Sequence, residues 1–500
     1  MHIYNSFSKS IEKFEPEEGK ERKEIVVYVC GLTPYDKAHI GHARTCVAFD
    51  IVKRFLLQKG CKVLHIQNIT DVDDKIIKRC RETGADPKKL TEENHREALE
   101  LFDKLGILRA DIYPKVTGHI REIVELVQKL IQNGHAYETE TGVYFDVSKF
   151  KNYGTLSGQK KNEIIAGSRK EVDETKDDPA DFALWKKTDG DLIEFNSPWG
   201  TGRPGWHIEC SAMGLKYAKE HGKTTIDIHG GARDLIFPHH ENEIAQSEAA
   251  NGKQFVKYWM HTGFLTVNGE KMSKSLGNFI TVADVLSKYE PNAVRMFFAL
   301  AHYRSPIDYN EEQIEAAGTS AERILNARGL IEENLKAKEK GNSKNKKFAE
   351  INDKLISEMH AAMENDFDTP NALAALFNLI RAANTHLNEE KIDYAQLERI
   401  TGAIKGMIIV IGITDVDKAQ KTDVNAMVLA KLLEELGAPV TSGILPEEKS
   451  AESMLDELVM LRDKFRKTKE YVKSDKIRDE LGKIGIVLED DKGKTKWKVK

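Results

Sequence analysis

The chain has little cysteine: five residues in 500, none of them in a C-x-x-C pair. That excludes a disulfide framework and the commonest structural zinc spacing. An odd, scattered set also leaves at least one thiol unpaired, as expected for a reducing compartment, and a cytoplasmic protein is the default expectation. Long apolar runs are missing too. The most apolar stretch is GMIIVIGI, residues 406–413, far short of the ~20 residues a membrane helix needs, so no membrane association is expected. The opening MHIYNSFSKSIEKFEPEEGKERKE lacks a basic start followed by an apolar core, and no secretory leader is read there. No G-x-S-x-G elbow and no H-E-x-x-H pair occurs, which argues against a serine hydrolase and a zinc protease.

Net charge is also small, −5 overall, but it is unevenly spread. Val459 to Lys500 holds 14 Lys and Arg against 8 Asp and Glu, a net +6 that leaves −11 for the remainder. A basic tail on an acidic body can contact phosphates, although a solvated helix face has the same composition. Five hundred residues exceed what one core usually supports, so two to four domains are expected. With 40% hydrophobic and 31% charged residues these should be globular.

The apolar, β-branched EIVVYVC (24–30) reads as a buried strand. After it come a Gly- and Pro-bearing loop, a helical pattern over 44–60, and a second strand at CKVLHIQNIT, 61–70. Strand, loop, helix and strand make a βαβ unit and predict a parallel, doubly wound sheet. Ligands of such sheets sit beyond the C-terminal strand ends, where Cys30 and Thr70 fall. Residues 118–204 break the rhythm and read as an α+β insertion. The βα pattern resumes with TTIDIHGGARDL and FPHHENEIAQSEAANG, and from about 315 the chain reads as a helical bundle. KAKEKGNSKNKK (336–347) reads as a mobile connector, and the final SDKIRDELGKIGIVLEDDKGKTKWKV as helix, strand, turn, strand. No fixed-period repeat is present. The expected divisions are 1–117 and 205–262 for the two halves of a Rossmann-like sheet, 118–204 for the insertion, 263–314 for a loop and stem region, 315–415 for the bundle and 416–500 for a small C-terminal α+β unit.

Three clusters carry chemistry. HIGH, His39 to His42, lies at the loop-to-helix junction after the first strand. Backbone N–H groups and the helix dipole favour an anion there, Gly41 permits close approach, and the two imidazoles can donate to phosphate. KMSKS, Lys271 to Ser275, puts two lysines in a Ser-bearing loop that can close over a polyphosphate, though an exposed basic loop has the same residues. IFPHHENEIAQSE, 236–248, sets His239 and Glu243 one helical turn apart, on one face. Either it opens a helix with acidic residues in its first turn, or the pair are metal ligands. Cys30 and Cys210 are candidate partners for them, and spacing alone does not decide.

HIGH and KMSKS, about 230 residues apart, resemble the motifs with which class I aminoacyl-tRNA synthetases clamp ATP. More specifically YVCGLTPYDKAHIGHAR, NITDVDDKI, DFALWK, GRPGWHIECSAM, HGGARDLIFPHHENEIAQSE, KMSKSLGNF, NDFDTPNALAALF and IRDELGKIGIVLED are similar, in order and spacing, to the cysteinyl-tRNA synthetase family over essentially the whole chain. The chain departs from many members in reading CGLTPYD for CGPTVYD, which moves a proline from 32 to 34, and 416–450 fits the family tail poorly. The resemblance implies ATP-dependent formation of cysteinyl-adenylate and transfer of cysteine to the 3′ end of tRNA(Cys). His39, His42, Lys271 and Lys274 would be catalytic. Gly41, Gly230, Gly231, Asp234, Lys274 and Ser275 would bind ATP with its Mg²⁺, and Thr70, Trp206 and His229 would line the amino acid pocket. Cys30, Cys210, His239 and Glu243 would hold one Zn²⁺ that selects the substrate thiolate. The resemblance further implies a monomer. Two other readings fit parts of the pattern: a related ligase that passes cysteine to an amine, and a noncatalytic zinc-containing RNA-binding protein.

Overall fold

A computed structural model of the chain describes residues 1–16, 24–159, 175–273, 276–414, 429, 432–433, 435–436, 451–468, 470–483, 486–491 and 494–499. The chain divides into two units, Met1–Ile413 and Thr414–Lys500.

The first unit is built on a four-stranded sheet in the order Val256–Thr262, Ile226–Ala232, Glu24–Leu32, Lys62–Ile69. Every neighbouring pair is parallel. Its strands are continuous apolar runs because both faces are covered: Ile25, Val26, Val27, Tyr28 and Val29 are all buried. The helix Ile40–Gln58 leaves the first strand and returns the chain to the Lys62–Ile69 edge. It begins four residues earlier than apolar periodicity alone indicates, so HIGH forms its first turn. The two central strands come from sequence segments some two hundred residues apart, and the chain leaves them toward opposite edges. That is the switch point at which such sheets bind ligands.

The described residues of 118–204 form a separate layer. A helix Ile120–Gln132 precedes an antiparallel sheet of Ala136–Glu138, Gly142–Phe145, Phe182–Lys187 and Gly202–Pro204. DFALWK supplies the strand that carries the fully buried Trp185. An N-terminal hairpin, His2–Asn5 with Ser10–Lys13, was not anticipated. Asn5 receives the Trp259 N–H at 3.1 Å and donates to the Lys257 carbonyl at 3.0 Å. The hairpin thereby covers an edge strand that would otherwise be open.

Four helices follow: Glu311–Ala337, Lys346–Glu364, Thr369–Leu387 and Tyr394–Ile411. Asn310, Asn345, Asp368 and Asp393 cap them, each side chain accepting a backbone N–H three residues on, which is why each helix starts where it does. The 336–347 segment differs from its expected mobile character. The first helix runs through Ala337, and Gly341–Asn342 pairs with Lys391–Ile392. Lys340 donates to the Leu387 and Glu389 carbonyls, so a lysine-rich composition here caps a helix C-terminus instead of only being solvated. The second unit has helices Ala451–Lys467 and Tyr471–Lys483 and an antiparallel pair Ile486–Asp491 with Lys494–Val499, as the terminal pattern predicts. Most of 416–450 lies outside the described residues.

The bundle is fastened to the HIGH helix by a buried ion cluster. Asp50 accepts from Arg295 at 2.5 Å, Arg54 at 2.8 Å and the Leu108 N–H at 2.9 Å. Arg295, almost wholly buried, also donates to the Ile411 and Leu105 carbonyls. Removing one partner of such a pair strands the other in a dry interior. Arg295→Met should therefore lower unfolding free energy by about 3–5 kcal/mol, read as a fall in the urea midpoint; an unchanged midpoint would contradict the clamp.

Candidate active site and metal centre

Register assembles the site. Tyr28 stands opposite His229 and Val29 opposite Gly230, which carries Cys30 to the mouth of the sheet beside Gly231. An added Cβ on Gly231 would lie 3.5 Å from Cys30 Cβ, and one on Gly230 would collide with Phe49 at 2.2 Å. The second central strand then turns through residues 233–240 into the helix Glu241–Asn251. His239 and Glu243 meet there, Nε2 to Oε1 at 2.8 Å. Cys210 comes from the first turns of the helix Trp206–Glu220 and is buried, its thiol interacting with both Cys30 and His239. Donor atoms of Cys30, His239, His240 and Glu243 all lie within 4.8 Å of one another. Three of the four expected ligands, Cys30, His239 and Glu243, thus converge; His240 stands where Cys210 was expected in that group, its Nε2 3.2 Å from Cys30 Sγ, while Cys210 adjoins the group through Cys30 and His239.

The donor set fits a divalent cation. Glu243 is fully buried. Its Oε2 lies 2.8 Å from His229 Nε2, but Oε1 accepts no hydrogen bond, although His239 Nε2 is just as near. That contact is out of line for a hydrogen bond. A buried carboxylate oxygen left without a hydrogen bond beside an imidazole suits a cation between them far better than a dry pocket. Two sulfurs, an imidazole and a carboxylate are ligands of a borderline-soft metal.

Electrostatics inside the cluster run in the same direction. Burial pushes the Glu243 carboxyl up, yet the His229 and His239 imidazoles prevail and hold it at about 2. Cys30 donates to Cys210 and brings that thiol down to about 6, against burial; Cys30 itself, desolvated and beside Cys210, is pushed well up. Burial opposes a charge on His239, but Glu243 and Cys210 lift it to about 10. Two anions, Glu243 and Cys210, and the cationic His239 between them therefore share one dry point at neutral pH. The surrounding imidazoles fix orientation. The Tyr28 carbonyl, 3.0 Å from His229 Nδ1, can only accept, so that nitrogen carries the hydrogen. His207 Nδ1 lies 3.0 Å from His239 Nδ1, and His261 Nε2 lies 2.7 Å from His240 Nδ1.

The other predicted residues surround this point. Trp206, 40% exposed, stacks on His239 with ring centroids 4.4 Å apart. It borders a cleft of about 960 Å³ whose far wall is the insertion, with Lys186, Lys187 and Arg203. Thr70 is buried and accepts from Asn68 Nδ2 at 3.2 Å. Asp234 is exposed on the short turn after Gly230 and Gly231. His39 and His42 stack at 3.6 Å in the first helical turn. The His39 N–H donates to His42 Nδ1 at 3.3 Å, which leaves the proton of neutral His42 on Nε2, and among the described residues His39 Nδ1 is buried without a partner. Burial lowers His39 to about 4 and His42 well below its usual value, so both act as neutral donors. Lys271 to Ser273, the described part of KMSKS, approach from the other side. Met272 Cε would be 3.8 Å from a Cβ on Gly41, Ile40 N donates to the Ile280 carbonyl, and His39 meets Phe279 edge to face at 5.4 Å. Lys271 is exposed; Lys274 and Ser275 lie outside the described residues. Asn278 staples the loop base, accepting from Ser273 N and donating to the Lys271 carbonyl.

Residues 16–319 match the model of the tRNA synthetases class I (C) catalytic domain, and 358–415 match the DALR domain. A protein of Thermococcus onnurineus named cysteine–tRNA ligase is 44% identical over 100% of this chain and 99% of its own length. One of Thermodesulfovibrio yellowstonii with that name is 42% identical over the full length of both. The chain belongs to the class I cysteine–tRNA ligase family. Among solved structures, Mycobacterium tuberculosis methionyl-tRNA synthetase in complex with methionyl-adenylate shares the fold. Its TM-score is 0.60 at 16% identity, over 87% of this chain and 94% of that one.

For this family member, sequence reasoning missed His207, His240, His261 and Asn278, because single histidines and asparagines carry no periodic signal. The HH of PHHENE was the one available hint for His240. The buried imidazoles give the metal-free protein a definite acid response. Burial lowers His39, His42, His65, His207, His240 and His261. Below pH ~6.5 the unfolded chain takes up protons that the folded chain refuses, so stability rises with pH across that window. The melting temperature of chelated protein should fall steadily from pH 7 to pH 5; a flat profile would contradict this charge assignment.

Proposed function

We propose that this synthetase activates L-cysteine with Mg²⁺-ATP and esterifies it to the 3′-terminal adenosine of tRNA(Cys), with Cys30, Cys210, His239 and Glu243 holding one Zn²⁺. The observation that carries this reading is the convergence of the Cys30 thiol, two imidazoles and a half-unsatisfied buried carboxylate at the sheet mouth, with the Cys210 thiol against Cys30 and His239 and the stacked histidines of HIGH on the helix that follows the same strand. A bound zinc supplies a Lewis-acid centre that takes a thiolate far more readily than an alcohol.

The chain's own groups do the rest. The first turn of the Ile40–Gln58 helix and the Nε2–H of His42 receive the phosphates. A cysteine carboxylate oxygen attacks the α-phosphorus, the bond to the bridging oxygen breaks, and pyrophosphate leaves. His39, His42 and Lys274 would stabilise the extra negative charge on the pentavalent phosphorus. The terminal ribose hydroxyl then attacks the acyl carbon and AMP leaves. Gly230, Gly231 and Asp234 would seat the adenosine, with Trp206, Thr70 and His229 around the amino acid. No protein nucleophile is required, because positioning and charge stabilisation supply the rate. The helical bundle and the basic terminal unit would hold the tRNA, and a cytoplasmic location follows from the substrate.

A shaped pocket separates near-isosteres such as cysteine and serine by only about 10–200-fold. Metal-replete protein should favour cysteine over serine by more than that range in aminoacylation. Chelation should remove cysteine charging while leaving the fold intact by circular dichroism. Equal charging of both amino acids, or full activity without metal, would refute the zinc assignment.

A further inference from the structure

Arg44 stands two residues past His42 on the HIGH helix and is 4% exposed. Its guanidinium spans three backbone carbonyls on two other segments. Nη1 donates to Phe264 O at 2.6 Å, and Nη2 donates to Tyr303 O at 3.4 Å and to Ser305 O. Among the described residues no carboxylate pairs with it. Phe264 leads directly into the hairpin Leu265–Val267 with Glu270–Lys271, at whose end KMSKS begins. The 303–305 loop abuts the same point: Gly263 N donates to Tyr303 O at 2.8 Å, and Leu265–Val267 pairs with Ile307–Tyr309.

That loop is gripped from behind by the bundle. Asp366 accepts from Tyr303 Oη and Arg304 Nε, both at 2.7 Å, and from Tyr4 N at 2.8 Å. Asp366 and Phe367 are both in the left-handed region, φ 62° and 53°. Such positions persist where surrounding contacts over-determine them. A buried guanidinium satisfied only by carbonyls pays for desolvation without an ion pair, which a residue serving merely to fill space would not require.

We propose that Arg44 is a positioning residue for nucleotide activation: it fixes the first turn of the HIGH helix against the strand end from which the KMSKS hairpin springs, and so sets the gap between the two motifs. The inference rests on the activation chemistry proposed above. Its substrate readout is therefore cysteine-dependent ATP–pyrophosphate exchange without tRNA, on full-length, zinc-loaded protein. Arg44→Lys keeps the charge but replaces a planar fork by a single ammonium. It should lower kcat about 10–100-fold, the scale of a misplacement near 1 Å. KM for cysteine should stay within about twofold, zinc content should be full, and the melting temperature should lie within a few degrees of wild type. Asp366→Asn keeps the side-chain shape, and asparagine tolerates left-handed backbone. It should loosen the loop and lower kcat in the same selective way, which keeps the idea testable should the arginine variant fold poorly. Wild-type kcat in either folded variant overturns the proposal, as does a loss matched by lost zinc or a raised KM for cysteine. A wild-type protein with no cysteine-dependent exchange would instead bring down the functional reading, and this inference with it.

Discussion

Parallel pairing of Glu24–Leu32 with Ile226–Ala232 is the constraint on which the site depends. Setting Val27 against Ile228 and Val29 against Gly230 joins segments some two hundred residues apart and aligns their C-terminal ends. Side-chain direction alternates along a strand, so a slip of one residue would turn Cys30 away from the cluster and His229 away from Glu243. Loop closure over that separation is costly in chain entropy. The residues holding the register are accordingly among the most deeply buried: Val27, Tyr28 and Val29 on one strand, Ile228 and His229 on the other.

Once assembled, the site concentrates charge where water cannot reach. Glu243 lies between His229 and His239, and Cys210 lies against Cys30 and His239. Each partner offsets part of the desolvation of the next, and the remainder appears as the unsatisfied Oε1. His207, His261 and the Tyr28 carbonyl form an outer layer that fixes ring orientation, and such outer contacts tune donors as strongly as donor identity does. Trp206 closes the assembly on the cleft side, one aromatic face on His239 and an edge toward solvent.

Much of this was legible in the sequence where chemistry and periodicity coincide. The βαβ start, the bundle and the terminal helix–strand–strand unit follow from spacing. HIGH is readable because its glycine and histidines fall at a strand-to-helix junction, and His239 with Glu243 because four residues make one helical turn. Cys30 and Cys210 as partners were not readable from spacing: their meeting depends on how the helix Trp206–Glu220 packs on the sheet, and only family resemblance supplied it beforehand. The N-terminal hairpin escaped notice because its short strands gain stability from Lys257 and Trp259, contacts that no local pattern encodes. Lysine-rich 336–347 misled for a related reason, since composition does not reveal that Lys340 finds two carbonyls to cap.

Two buried arginines beside the HIGH helix show how the same side chain serves opposite ends. Arg295 meets Asp50, so its charge is cancelled at short range and its effect is mechanical: bundle, loop and helix are held as one body. Arg44, on the same helix, meets only carbonyl dipoles. Dipoles satisfy its N–H groups without neutralising it, and although burial brings its pKa to about 10, it stays protonated at neutral pH. An uncompensated cation in a low-dielectric interior projects its field much further than a paired one. Here the field emerges beside the helix N-terminus whose own dipole is positive. The fold thus places one full charge and one partial charge of the same sign behind the neutral His39 and His42. At the proposed ATP site the potential on the phosphates would not have to come from protonated imidazoles, and neutral histidines would remain free to donate hydrogen bonds.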